Sequence, residues 1–243
     1  MRIVEYLQNG RLHVQEITSS GNFIVPSGVY VIFISGVGAG GGGAAGGSNT
    51  TTISAAGGWG GSSGASVIML PMFVVPGQVI PIVIGTGGLG GVGTTSNTGG
   101  PVTIPGNPGT ETSIGDLVLS GGGRGDTSLL DNGGKPPLDL DDNVASRGHF
   151  YHGARSGYPS ILPAGTDGVL HLDSKNGGKA GGGSPFGKGA DGGDGCVDNA
   201  SPGSDGAAGS RGSGGGGGGA AHAGNQTGSG GQGGNGYVAI GWQ

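Results

Sequence analysis

The chain is poor in the materials from which ordinary cores and ordinary active sites are built. Charged residues make up 10% of its 243 positions and aromatic residues 5%, against roughly 25% charged in a typical globular protein. From Ile17 to Thr110 there is no Asp, Glu, Lys, Arg or His. A core of interlocking large side chains can therefore serve only part of the length. The net charge of −5 and the pI of 5.3 argue against a basic groove for nucleic acid or for an anionic membrane surface, so no nucleic-acid partner is expected. One cysteine, Cys196, excludes an internal disulfide framework. No apolar run reaches the roughly 18 residues of a spanning helix, so the chain is not expected to be membrane-embedded. The start, MRIVEYLQNGRLHVQEI, has no charged block followed by a long apolar one, and action outside a cell would imply another export route than a cleaved signal.

Glycine is what the chain has instead: 67 residues, with 13 prolines. The tracts are Gly36 to Gly47, Gly57 to Gly64, Gly85 to Gly93, Gly121 to Gly125, and most of Gly177 to Gly236. In isolation each is a flexible coil, because glycine loses more backbone entropy on ordering than any other residue. The conformation that could offset this loss is the extended polyproline II helix, with three residues per turn and its N–H and C=O groups pointing outward. Rods without side chains can approach closely and satisfy one another's backbone groups, as strands do in a sheet. The run Gly214, Gly215, Gly216, Gly217, Gly218 and Gly219 is the purest such rod and the expected scaffold. "GCVDNASPGSDGAAGSRG" breaks the period of three that a collagen triple helix requires.

Between the tracts lie β-branched blocks, NFIVPSGVYVIFIS and SVIMLPMFVVPGQVIPIVIG, each broken by turn residues as paired strands are. Shorter strands are expected at Asp116 to Ser120, Gly168 to Leu172 and Tyr237 to Trp242. At the N-terminus, RIVEYL and RLHVQEI flank Asn9-Gly10, the signature of a tight hairpin. Residues 1–20 thus read as a hairpin or attachment segment and 21–243 as the glycine-rich body with inserted polar loops. No stretch has helical periodicity free of glycine. The expected fold class is all-β with irregular parts: a small antiparallel sheet portion plus packed glycine-rich polyproline II helices.

The succession NFIVPSGVYVIFISGVGAGGGGAAGG, PGQVIPIVIGTGGLGG, GGGSPFGKGADGG and a closing GGQGGNGYVAIGW resembles glycine-rich domains of bacteriophage tail and tail-fibre proteins. More narrowly, the several glycine tracts resemble the polyglycine-sandwich adhesins at the tips of T-even-type phage tail fibres, over residues 20 to 243. The resemblance implies a rigid layered block whose projecting loops contact a host outer-membrane protein or surface glycan, and a virion protein that attaches to another tail or fibre protein. This chain departs from that pattern in having a short N-terminal segment where those adhesins carry a larger docking region, which puts its mode of attachment in doubt.

Side-chain chemistry collects between Glu111 and Arg211. Its richest patch is ASRGHFYHGARSGYP, with Arg147, His149, Phe150, Tyr151, His152, Arg155 and Tyr158 between glycines. Aromatics flanked by Gly, Ser and Arg are binding-loop chemistry, giving a large rigid contact area at small entropic cost. Phe150 and Tyr151 could equally plug the edge of the sandwich. These seven residues are the receptor-binding candidates.

Other motifs fail on context. Asp139, Asp141 and Asn143 alternate as in a calcium loop but lack its sixth-position Gly and twelfth-position Glu. Arg124-Gly125-Asp126 is a triplet that arises cheaply in such a chain. Gly36, Gly38 and Gly41 fit a dinucleotide fingerprint without its helix or its acid. Gly60, Ser62 and Gly64 fit a nucleophile elbow that runs on into a strand. Gly182, Gly187 and Lys188 approach a phosphate loop, but Gly189 stands where magnesium needs a hydroxyl.

A glycan-cleaving enzyme would need two carboxylates from among Asp167, Asp173, Asp191, Asp194, Asp198 and Asp205, whose separations the sequence does not fix. His149 and His152 are too few for a metal site. No catalytic residue, metal or cofactor is expected. The remaining rival is a structural virion component whose charge-free first half packs on neighbouring subunits.

Overall fold

The computed structural model describes residues 12–49, 56–95, 104–125, 149–151, 177–198 and 200–243. Among them there is no α-helix. Two antiparallel sheets form one end of the molecule. The first has five strands in the order β1 (His13–Ile17), β11 (Tyr237–Trp242), β3 (Val31–Val37), β5 (Ser66–Phe73) and β9 (His149–Tyr151). The second has four, in the order β2 (Gly21–Ile24), β6 (Val79–Val83), β7 (Thr112–Ile114) and β8 (Leu117–Leu119). A two-residue parallel pair joins β4 (Ser48–Asn49) to β10 (Ala221–His222).

Both β-branched blocks split as their turn residues require. NFIVPSGVYVIFIS gives β2 and β3, which lie in different sheets, and the second block gives β5 and β6, again one in each. At the second turn Gly77 takes a φ of 80° after Pro76, the positive value that a type II turn demands. Ile32, Ile34, Val67, Leu70, Val238 and Ile240 from one sheet face Phe23, Ile80, Ile82, Ile114 and Leu119 from the other, all nearly inaccessible to solvent. This is the one conventional hydrophobic core among the described residues. RLHVQEI contributes β1, which pairs with β11; RIVEYL and the strand expected at Gly168 to Leu172 lie outside the described residues.

Beyond the sheets the described residues include ten extended rods: residues 38–47, 56–65, 85–93, 104–110, 120–125, 177–182, 190–196, 203–209, 212–220 and 228–236, numbered one to ten in that order. Several continue strands directly: β3 enters rod one, rod two enters β5, β6 precedes rod three, β8 enters rod five and rod ten enters β11.

The bonding of rod one shows how they assemble. Its ten N–H groups donate in three directions, at 2.7–3.2 Å. Gly38, Gly41, Ala44 and Gly47 donate to Ala65, Ser62, Trp59 and Ala56 of rod two. Ala39, Gly42 and Ala45 donate to Thr110, Asn107 and Ile104 of rod four, and Gly40, Gly43 and Gly46 to Gly234, Gly231 and Gly228 of rod ten. Its carbonyls accept from Gly88 and Gly91 of rod three, from Gly122 and Gly125 of rod five, and from Gly215 and Gly218 of rod nine. A repeat of three residues is that of a polyproline II helix. Three donor directions and three acceptor directions give six neighbours, so the packing is hexagonal.

Rod nine is enclosed in the same way, by rods one, two, six, seven, eight and ten. The ten rods therefore stack in three layers: three, ten and eight; four, one, nine and seven; five, two and six. Rod one spans about 31 Å at the usual rise.

Residue size follows the number of enclosed faces. Rods one and nine are buried throughout and contain nothing larger than alanine and serine respectively. In rod three only Thr86, Leu89 and Val92 are exposed, one residue in three; in rod eight Gly203, Gly206 and Gly209 face inward and the residues between them are exposed. The stretch 209–234, which reads as a single rod, is divided by a turn near Gly224, whose φ is 89°, into most of rods nine and ten.

Candidate functional site

The rods deliver their connections to two ends. At the sheet end lie the turns at 183–187 and 210–212; at the far end lie 196–203 and 221–227, with β4 and β10 beside them. The far turns hold themselves by side-chain bonds to the backbone. The Asp198 carboxylate accepts from the N–H groups of Ala200 at 2.9 Å and Ser201 at 2.6 Å. Its pKa lies below the ordinary 3.8, because the Ser201 hydroxyl and these amides stabilise the anion. Thr94 donates to Thr227 Oγ1 at 3.0 Å, and Thr95 bridges to Gln226. His222 Nδ1 is 3.1 Å from the Ala223 carbonyl, while its buried Nε2 has no partner among the described residues.

Of the seven candidate recognition residues, three are described. His149, Phe150 and Tyr151 form β9, paired antiparallel with Ile68, Val67 and Ser66 of β5. They therefore sit on an edge of the five-stranded sheet and not at the far turns. Arg147, His152, Arg155 and Tyr158 lie outside the described residues. The six scaffold glycines, 214 to 219, form the middle of enclosed rod nine. A Cβ at Gly216 would strike the Asp191 carbonyl, and one at Gly217 the Gly58 carbonyl, far inside contact distance.

Of the carboxylates considered for glycan cleavage, Asp191, Asp194, Asp198 and Asp205 are described, and three of them have the following partners. Asp191 pairs with Lys188 at 3.1 Å, Asp205 Oδ1 accepts from the Ser229 N–H at 2.7 Å, and Asp198 caps its own turn. Asp167 and Asp173 lie outside the described residues. No group of three His, Cys, Asp or Glu able to hold a metal occurs among the described residues. Ser62 of the elbow-like motif is buried in rod two at 2% exposure, and Cβ atoms at Gly38 and Gly41 would meet the Ser120 and Gly123 carbonyls. The phosphate-loop-like turn closes on itself, with Ser184 Oγ accepting from Gly187 at 2.9 Å and donating to the Arg211 carbonyl at 2.7 Å.

Two groupings escape a reading of the sequence. Trp59 is half-buried on rod two, whose Gly58 and Gly57 point towards rods one and six. Rod five, which carries exposed Arg124, and rod six, which carries exposed Lys179, both bond to rod two, although the three residues are far apart in sequence. At the junction of sheet and bundle, the Arg211 guanidinium lies 4.7 Å over the Tyr237 ring and 3.6 Å from Glu16, and Phe186 packs 5.3 Å from the same ring. Burial, and then the hydrogen bond from the Tyr237 hydroxyl to Glu16, raise the phenol above its ordinary 10.0. The only sign of this cluster in the sequence is that Phe186, Arg211 and Tyr237 each adjoin runs of small residues. A surface cavity of about 270 Å³ beside Glu16 is lined by residues 15–22 and Ile82, and brings in no second carboxylate.

Comparison with curated proteins gives no match. The profile of the glycine-rich domain family matches residues 17–243, which takes in all ten rods and every strand except β1, of which only Ile17 is included. The chain belongs to this glycine-rich domain family.

Proposed function

We propose that this is a bacteriophage virion protein at a tail or tail-fibre tip, a non-enzymatic adhesin that binds a host outer-membrane protein or surface glycan through polar loops on a rigid glycine-rich scaffold. The observation that carries the reading is the enclosure of rods one and nine by six hydrogen-bonded neighbours each. A block held by its own backbone asks little of the segments that join its rods, so those segments are free to carry recognition. Most of the charged residues fall between Glu111 and Arg211, the part of the chain that also holds the aromatic stretch 149–151.

The test is binding of the purified protein to intact candidate host cells, beside a variant with residues 148–158 exchanged for Gly-Ser and a milder one, Arg155→Ala with Tyr158→Ala. Saturable binding that is lost in the exchange and weakened in the double variant supports an adhesin with its site there. Binding untouched by either variant moves the site to other turns. Absence of binding by the folded protein favours the rival reading, a structural component of the particle, which draws on the charge-free stretch from Ile17 to Thr110.

A further inference from the structure

β1 and β2 follow one another in the chain but lie in different sheets, each at an edge among the described strands. The connection between them, Thr18 to Ser20, therefore crosses from one sheet to the other along the side of the sandwich. Ser20 Oγ anchors this crossing by accepting from the Ile84 N–H at 3.0 Å. Beside it lies the surface cavity of about 270 Å³. Its apolar lining is Ile17, which packs on the hydrophobic core, and Ile82, which is 2% exposed. Its polar lining includes Gln15, Thr18, Ser19, Ser20 and Asn22, all exposed.

Gly21 also lines this cavity, and neither of the usual reasons for a glycine accounts for it. Its φ is outside the left-handed region, and no atom lies within 4 Å of the place where a Cβ would stand. The other strand glycines among the described residues differ. At Gly36 the Tyr237 carbonyl stands 3.1 Å from that place, and at Gly241 Leu12 Cδ1 stands 3.4 Å from it. In the enclosed rods a neighbour's carbonyl occupies it. Gly21 shares the inward face of β2 with buried Phe23, so a side chain there would enter the cavity. Glycine in a strand costs stability relative to alanine. Required by neither turn nor packing, Gly21 keeps the cavity open.

The lining chemistry names the ligand. Amide and hydroxyl side chains both donate and accept, and the two isoleucines offer apolar surface. That combination matches the hydroxyl groups and C–H faces of a sugar ring. No Lys or Arg is among the lining residues. Glu16, the one ionisable residue there, is paired with Arg211 at 3.6 Å, so nothing in the lining compensates an anion. The volume lies just below the roughly 300–1,000 Å³ of drug-sized sites, which limits the ligand to about one ring. We propose that this cavity binds a single neutral sugar unit and that Gly21 is the residue that admits it. The site is separate from residues 148–158, and the proposal does not rest on the adhesin reading.

The experiment is 1H–15N NMR of the full chain titrated with glucose, galactose, mannose and N-acetylglucosamine. Each runs from about 0.1 to 50 mM, the range for a small ligand in an open site. At least one sugar is expected to shift the amides of residues 15–22 and 82–84 saturably. Gly21→Ile, which has room at its Cβ, keeps the thermal transition and loses those shifts. Asn22→Ala weakens binding about tenfold, the cost of a lost hydrogen bond. Glucuronic acid, a similar ring with a carboxylate, binds at least about tenfold more weakly than the neutral sugar. The proposal is overturned if none of the four sugars gives saturable shifts, if the shifts fall elsewhere, or if Gly21→Ile binds as the wild type does. Glucuronic acid that binds as tightly overturns the assignment of a neutral ligand. Should Gly21→Ile lose its thermal transition, Asn22→Ala and Gln15→Ala decide: weaker binding in either supports the site, and unchanged binding in both overturns it.

Discussion

The sheet end and the rod bundle are continuous pieces of one chain held together by opposite means. In the sheets a position matters for what its side chain fills: Ile34 and Ile240 face each other on neighbouring strands and are both at 0% exposure. In rods one and nine a position matters for the side chain it lacks, since the space where a Cβ would stand is occupied by a neighbour's carbonyl. Hydrophobic transfer dominates the first region. Backbone hydrogen bonds and close dispersion contacts dominate the second. Tolerance to substitution should therefore follow different rules in each, even between adjacent residues such as Val37 and Gly38.

The sharpest way to break this contrast is to add a side chain at the centre of the bundle. Gly216→Val drives its Cβ into the Asp191 carbonyl, where only backbone movement gives relief, and a loss above about 4 kcal/mol is expected. Thermal unfolding should show no native transition; a normal one would remove close rod packing from the account. The corresponding change at the sheet end is a deletion. Ile34→Ala should cost about 2–5 kcal/mol, measured by denaturant titration, with the fold retained.

The junction gives a smaller, pH-dependent effect. Burial and Glu16 raise the Tyr237 pKa in the folded chain above the unfolded 10.0. The folded state thus holds this proton more tightly, and its contribution to stability is complete below pH 10 and is lost as pH rises through the folded value. The midpoint of unfolding should fall less between pH 8 and pH 11.5 in Tyr237→Phe than in the wild type; equal falls would show that the ring's surroundings do not act on its ionisation. The smallest effect belongs to an outward rod position. Gln232→Ala leaves every glycine of rod ten in place and should change stability by no more than about 0.5 kcal/mol, a near-silence that distinguishes exposed from enclosed faces when both are read by the same melt.

Much of the sheet was legible because its signals are local. Pro76-Gly77 divides β5 from β6, and the closing YVAIGW is a strand in both readings. β7 went unread because Thr112–Ile114 is three residues long and has its pairing partners, not its own pattern, to define it. At the candidate site the sequence marked His149 to Tyr151 by composition, but its pairing with β5 comes from a strand more than 80 positions earlier. Trp59, Arg124 and Lys179 stand on rods that bond to one another for reasons that no local pattern carries.

By itself the sequence determined the class of object: no helix could persist through repeated glycines, little charge could be placed in the first half, and rods without side chains had to satisfy one another. Tertiary structure alone decided which rods are enclosed. Rod eight reads as glycine every third residue and rod nine as glycine almost throughout, yet each has the backbone groups to accept six neighbours. The number each receives depends on where the intervening turns return the chain, and those long-range pairings leave no period in the sequence.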